Sequence, residues 1–72
     1  MATTIEITDA GLMPDLVNAL ARSGCAVDWT TGTACRVAHL NAGSPDEEAL
    51  EIAFFVRAWQ LRHPHVDARI AR

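Results

Sequence analysis

Ser44-Pro45-Asp46-Glu47 marks the start of a helix. The serine hydroxyl can cap, proline suits the first helical position, and the glutamate can reach back to close a capping box. The helix should run to about Arg62 and end at His63-Pro64, because a residue before proline avoids the helical region. Between these marks the segment is apolar around most of its circumference, and that constrains the fold more than any other feature of the chain. At about 100° per residue, one arc holds Leu50, Phe54, Ala58 and Leu61, and a second holds Ile52, Phe55, Val56 and Trp59. Arg57 and Gln60 separate the arcs on one side, Glu51 and Arg62 on the other. A small two-layer domain can cover one arc but has nothing to place beyond the other. We expect the first arc to cover a sheet and the second, Ile52, Phe55, Val56 and Trp59, to be an oligomer interface. The default symmetry for such an interface is a two-fold dimer.

Size points the same way. A chain of 72 residues forms one domain, spanning 1–72, and buries only about 60% of its unfolded surface, so an added source of stability is expected. Half of the residues are hydrophobic and 21% are charged, which favours association over a metal or a disulfide. The formal charge is -3. The six arginines (Arg22, Arg36, Arg57, Arg62, Arg69 and Arg72) are scattered rather than clustered, so neither nucleic acid nor a membrane surface is an expected partner. No apolar run approaches the ~20 residues of a membrane span, and the first residues lack a basic segment followed by an apolar one, so a cytoplasmic location is expected. Cys25 and Cys35 are expected to be free and buried.

The remaining segments read as a strand over residues 3–8, with Ile5 and Ile7 inward, and a helix over about 12–23. Pro14 lies in the first turn of that helix, and Gly24 can stop it in the left-handed conformation. A hairpin of 25–29 and 33–40 follows, then a last strand over 65–70. A three-residue loop, Thr30 to Gly32 with Gly32 at positive φ, would align Cys25 with Val37 and Val27 with Cys35. The order βαββαβ implies an α+β fold: a ferredoxin-like two-layer sandwich, with two helices on one face of a four-stranded antiparallel sheet.

Chemistry-bearing residues give weaker signals. His63-Pro64-His65, with Cys25, Cys35 and His39, lacks the close ligand pairs of a structural zinc site, and the residues read as ordinary helix-stop and packing chemistry; no cofactor is expected. Cys35 and His39 would share a strand face but lie too far apart to touch. Asp46, Glu47 and Glu48 suit a helix N-terminus. Glu6 and Asp67 could form a paired-carboxylate site with Arg36 or Arg69, against the commoner outcome of a solvated salt-bridge face. The loop Asp9-Ala10-Gly11 is the candidate ligand site, since amides at a helix start can hold a small anion or an amino-acid carboxylate.

Asp9-Ala10-Gly11-Leu12, followed by Leu16, Leu20, Gly24 and Val27, resembles the start of an ACT domain, and His63-Pro64-His65-Val66 falls where that family often has a turn followed by valine. Ala10 replaces the family's proline, and the hairpin is shorter than usual. The resemblance implies a dimeric module that binds an amino acid or similar small molecule at the loop and interface. Heavy-metal-associated domains share the topology, but their Cys-x-x-Cys is absent from residues 9–14, which argues against copper carriage. The leading expectation is a non-enzymatic, dimerising interaction or small-ligand module. The alternatives are a small dimeric enzyme with a pocket lined by Trp29, Trp59 and His39, and a subunit that pairs with a different protein.

Overall fold

The computed structural model describes residues 3–71. The elements are β1 (Thr3–Ile7), α1 (Met13–Arg22), β2 (Cys25–Thr31), β3 (Ala34–His39), α2 (Pro45–Leu61) and β4 (Ala68–Ala71), with one 3-10 turn, Ala10–Leu12, leading into α1. The strands form one antiparallel sheet in the order β2-β3-β1-β4. Both β-α-β connections therefore skip a strand. β3 separates β1 from β2, and β1 separates β3 from β4. The fold is α+β, in two layers.

Alternation along the strands decides which sheet face is covered. Ile5, Ile7, Cys25, Cys35 and Val37 are buried on one face against Met13, Leu16 and Leu20 of α1 and Ile52, Val56 and Trp59 of α2. The opposite face carries Thr4, Glu6, Asp28, Arg36 and Arg69, as period-two alternation requires. Glu6 and Arg69 are cross-strand partners joined by two contacts, Nη2–Oε1 at 2.8 Å and Nε–Oε1 at 3.0 Å.

The helix ends follow local chemistry. Ser44 Oγ accepts from the Glu47 amide at 3.2 Å, and Glu47 Oε2 accepts from the Gly43 amide at 3.0 Å. The reciprocal bond thus reaches one residue further back than in the standard capping box. Gly43 permits this approach, because a Cβ there would lie 2.8 Å from Glu47 Oε2. Gly24, at φ 88, turns the chain out of α1 into β2 in the left-handed region that glycine occupies without strain.

The hairpin differs from expectation by two positions. Val27 pairs with Val37, Trp29 with Cys35 and Cys25 with His39, and a bulge between Trp29 and Thr31 leads to a two-residue turn, Gly32-Thr33. Gly32 is not at positive φ. The bulge absorbs the odd residue, with Thr30 Oγ1 donating to the Ala34 carbonyl at 3.1 Å. A shift of two preserves every side-chain face, so Cys25, Val27, Cys35 and Val37 still share one side. Asp28 and Arg36 become direct rather than diagonal partners. The last strand begins later than expected, because His63 to Val66 forms a turn closed by the Val66 amide on the His63 carbonyl at 3.0 Å.

The largest correction concerns α2. Ile52, Val56 and Trp59, expected to face outward, are 0%, 4% and 1% exposed, and Phe55 packs partly buried against the same core. Leu50, Phe54 and Leu61, expected to cover the sheet, are 72%, 68% and 69% exposed. The two arcs are exchanged. Two contacts available only to the inward arc account for its orientation. Trp59 Nε1 donates to Asp15 Oδ2 on α1 at 2.7 Å, and the His39 ring of β3 stacks on Phe55 with centroids 5.7 Å apart. An indole N–H buried without such a partner would cost about 1–3 kcal/mol.

Candidate functional site

Three places gather side chains with chemical potential. The first is the end of the sheet where Cys25 pairs with His39. The His39 backbone amide donates to Glu48 Oε2 at 3.1 Å, and its Nε2 lies 2.9 Å from Glu51 Oε2. The Asn41 amide donates to His39 Nδ1 at 3.2 Å, which makes Nδ1 the acceptor and leaves Nε2–H to donate to Glu51. Both ring nitrogens are thus occupied, and neither is available as a base or metal ligand. The Cys25 thiol is pushed above its ordinary pKa, first by burial and then by the Glu48 and Glu51 carboxylates. That is the reverse of what an activated nucleophile requires. Cys35 is fully buried, and burial raises its thiol to about 11. Both cysteines are free. This end of the sheet works as a clasp between β3 and α2.

The second place is the groove between α1 and the C-terminal end of α2, about 280 Å³ in volume and lined by Asp15, Ala19, Arg22, Arg62 and His63. Asp15 Oδ2, already bonded to Trp59, lies 3.5 Å from His63 Nε2. The His63 ring stacks on Trp59 at 4.4 Å and places Nδ1 3.0 Å from the Trp59 carbonyl. Asp15, Trp59 and His63 therefore lock the two helices together. Arg22 and Arg62 are exposed and make no ion pair among the described residues. His65, proposed beside His63 from the sequence, is also exposed. Among the described residues, no group of three or more His, Cys, Asp or Glu side chains could hold a metal ion.

The third place is the outer surface of α2. Leu50, Phe54, Ala58 and Leu61 are all exposed and recur every three or four residues, forming one stripe along the helix. No described element covers it. Sequence reasoning detected the excess apolar surface and assigned it to the wrong arc. The discriminating signal, a tryptophan with a carboxylate on the neighbouring helix, lies 44 positions away in the chain.

In the loop Asp9-Ala10-Gly11, Asp9 Oδ1 accepts from the Gly11 amide at 2.9 Å, and the Asp9 carbonyl accepts from Leu12 at 3.1 Å. The amide proposed to hold an anion is filled by the chain's own carboxylate, so the loop is built as a helix cap. Glu6 is paired with Arg69 instead of with a second carboxylate, and Asp67 bonds Thr8 through its backbone. Trp29, Trp59 and His39 do not share a pocket. Trp29 is half-exposed four ladder positions from the level of His39, and Trp59 is sealed in the core. Among the described residues, no helix is long and apolar enough to cross a membrane.

Comparison of the chain with protein-family models, curated proteins and solved structures finds no match. The likeness to ACT domains accordingly rests on the residues quoted for it alone.

Proposed function

We propose that this chain is a non-enzymatic association module of ferredoxin-like topology that works as a homodimer. The order β2-β3-β1-β4, with both crossovers skipping one strand, supports the topology. One observation carries the function: the apolar stripe Leu50, Phe54, Ala58 and Leu61 along the outside of α2. Covering a large apolar side chain is worth about 1.5–3 kcal/mol, and aromatic anchors are enriched at interface centres. The chemistry elsewhere supports a module without catalysis, since the histidines and acids of both side-chain clusters are bonded to one another and the thiols are buried and protonated.

Sedimentation equilibrium of the wild type and of Phe54→Glu tests the reading, with circular dichroism to check the fold. The wild type should dimerise in the micromolar range, and Phe54→Glu should be a folded monomer. A wild type that stays monomeric at high micromolar concentration overturns it. A charge placed at Trp59 would not test the surface, because that side chain is 1% exposed and lies in the core.

A second reading, capture of a small anion, is favoured by Arg22 and Arg62, which line the groove between the helices and make no ion pair among the described residues. Inorganic phosphate or citrate should then raise the thermal midpoint of the wild type but not of Arg22→Gln/Arg62→Gln. An equal shift in both proteins removes this reading.

A further inference from the structure

The proposed dimer leaves open which way two α2 helices run against each other, and the charges beside the stripe answer that question. This inference rests on the reading that the outer stripe of α2 is the contact surface. At about 100° per residue, with Phe54 at the centre, Leu50, Leu61 and Ala58 lie within about 40° of it. Glu47 also lies about 20° from Phe54, at the N-terminal end of the stripe, with its carboxylate turned back onto the Gly43 amide. The other charges beside the stripe lie at about 60–80°, Asp46 and Arg57 on one flank, Glu51 and Arg62 on the other. Each flank therefore carries an acid towards the start of the helix and an arginine towards its end.

We infer that two copies pack with their α2 helices antiparallel across a two-fold axis near Phe54, so that each Asp46 meets the partner's Arg57. An antiparallel two-fold keeps each flank on its own side and reverses its direction, which sets acid against base on both flanks. A parallel pair exchanges the flanks and would instead set Asp46 towards the partner's Glu51 and Arg57 towards the partner's Arg62, acid against acid and base against base. The midpoints of Asp46/Arg57 and Glu51/Arg62 fall on either side of Phe54 in the chain, so one axis at Phe54 serves both pairs within the reach of an arginine. Phe54 then packs near its own copy, and Leu50 packs against the small Ala58. Asp46 and Arg57 are exposed, and neither is engaged in an ion pair among the described residues. Attraction to the helix dipole accounts for Asp46 in the first turn, but not for Arg57, since the last turn carries no base.

The test is a charge exchange read by sedimentation equilibrium at low salt. Asp46→Arg and Arg57→Asp should each weaken the dimer by about tenfold, since the two-fold creates two like-charge contacts per dimer. The double exchange Asp46→Arg/Arg57→Asp should restore wild-type affinity, because every contact is again between opposite charges. Raising the salt should weaken the wild type and the double exchange alike. If the wild type dimerises through the stripe, as Phe54→Glu reports, but the double exchange is no better than the single ones, the antiparallel arrangement is wrong and the association reading stands. If the wild type does not dimerise, both fail. A dimer insensitive to both single substitutions also overturns the arrangement.

Discussion

The exchange of arcs on α2 makes a quantitative prediction about two neighbouring leucine-sized residues. Ile52 is fully buried among Ile5, Val37 and Leu16, whereas Leu50, two positions earlier, leaves nearly three-quarters of its surface in solvent. Truncating a buried isoleucine to alanine costs about 2–5 kcal/mol, through lost transfer energy and the cavity left behind. Truncating Leu50 forfeits only the quarter of its surface that is covered, which is under about 1 kcal/mol when full burial is worth about 1.5–3. A domain of 72 residues has a stability of about 4–11 kcal/mol, so Ile52→Ala removes a large fraction of it. At about 4–8 °C per kcal/mol, Ile52→Ala should lower the thermal midpoint by about 10 °C or more, and Leu50→Ala by only a few degrees. The assay is thermal and urea unfolding of both variants at sub-micromolar concentration, where self-association contributes little, and again well above the micromolar range. Concentration should raise the midpoint of the wild type and of Ile52→Ala but hardly that of Leu50→Ala. Equal losses at low concentration, or a loss at Ile52 below about 1 kcal/mol, would refute the assignment of the inner arc.

Other consequences are equally direct. Asp15→Ala leaves the buried Trp59 indole N–H unsatisfied and should cost about 1–3 kcal/mol in urea unfolding; Trp59→Phe, which removes the donor as well, should make the second loss at Asp15 much smaller in a double-mutant cycle. The raised Cys35 thiol predicts the sign of an alkaline transition. Its folded pKa of about 11 exceeds the ordinary 9.0, so its contribution to stability is complete below about pH 9 and is lost as the pH rises towards 11. Stability measured across that window should fall less steeply in Cys35→Ala than in the wild type. Alkylation of both thiols at neutral pH should occur only as fast as the protein opens. Gly24→Ala, forced to φ 88, should cost about 1–2 kcal/mol without altering association.

Local sequence determined much of this protein. The alternation of Ile5 and Ile7, the cap Ser44, Pro14 in the first turn of α1, and Gly24 at its end each act within a few positions and are found in their expected roles, while Glu47 reaches back as expected but to Gly43 rather than Ser44. The face shared by Cys25, Val27, Cys35 and Val37 was also legible, because a register shift of two leaves it unchanged. The order of strands and helices follows from these elements. Whether the loop Asp9-Ala10-Gly11 keeps a free amide was not legible, because that depends on one Asp9 rotamer placing its carboxylate on Gly11.

Tertiary structure alone decided which side of α2 turns inward. By periodicity both arcs qualify, since each is an apolar stripe of helical spacing and the hydrophobic effect has no direction of its own. Directional contacts break the tie: Asp15 waits on α1 for the Trp59 indole, and His39, held by Asn41 and Glu51, presents its ring to Phe55. These partners lie far away along the chain and meet only when the sheet has formed and both helices have been laid on it. Once they meet, Leu50, Phe54 and Leu61 are left outside.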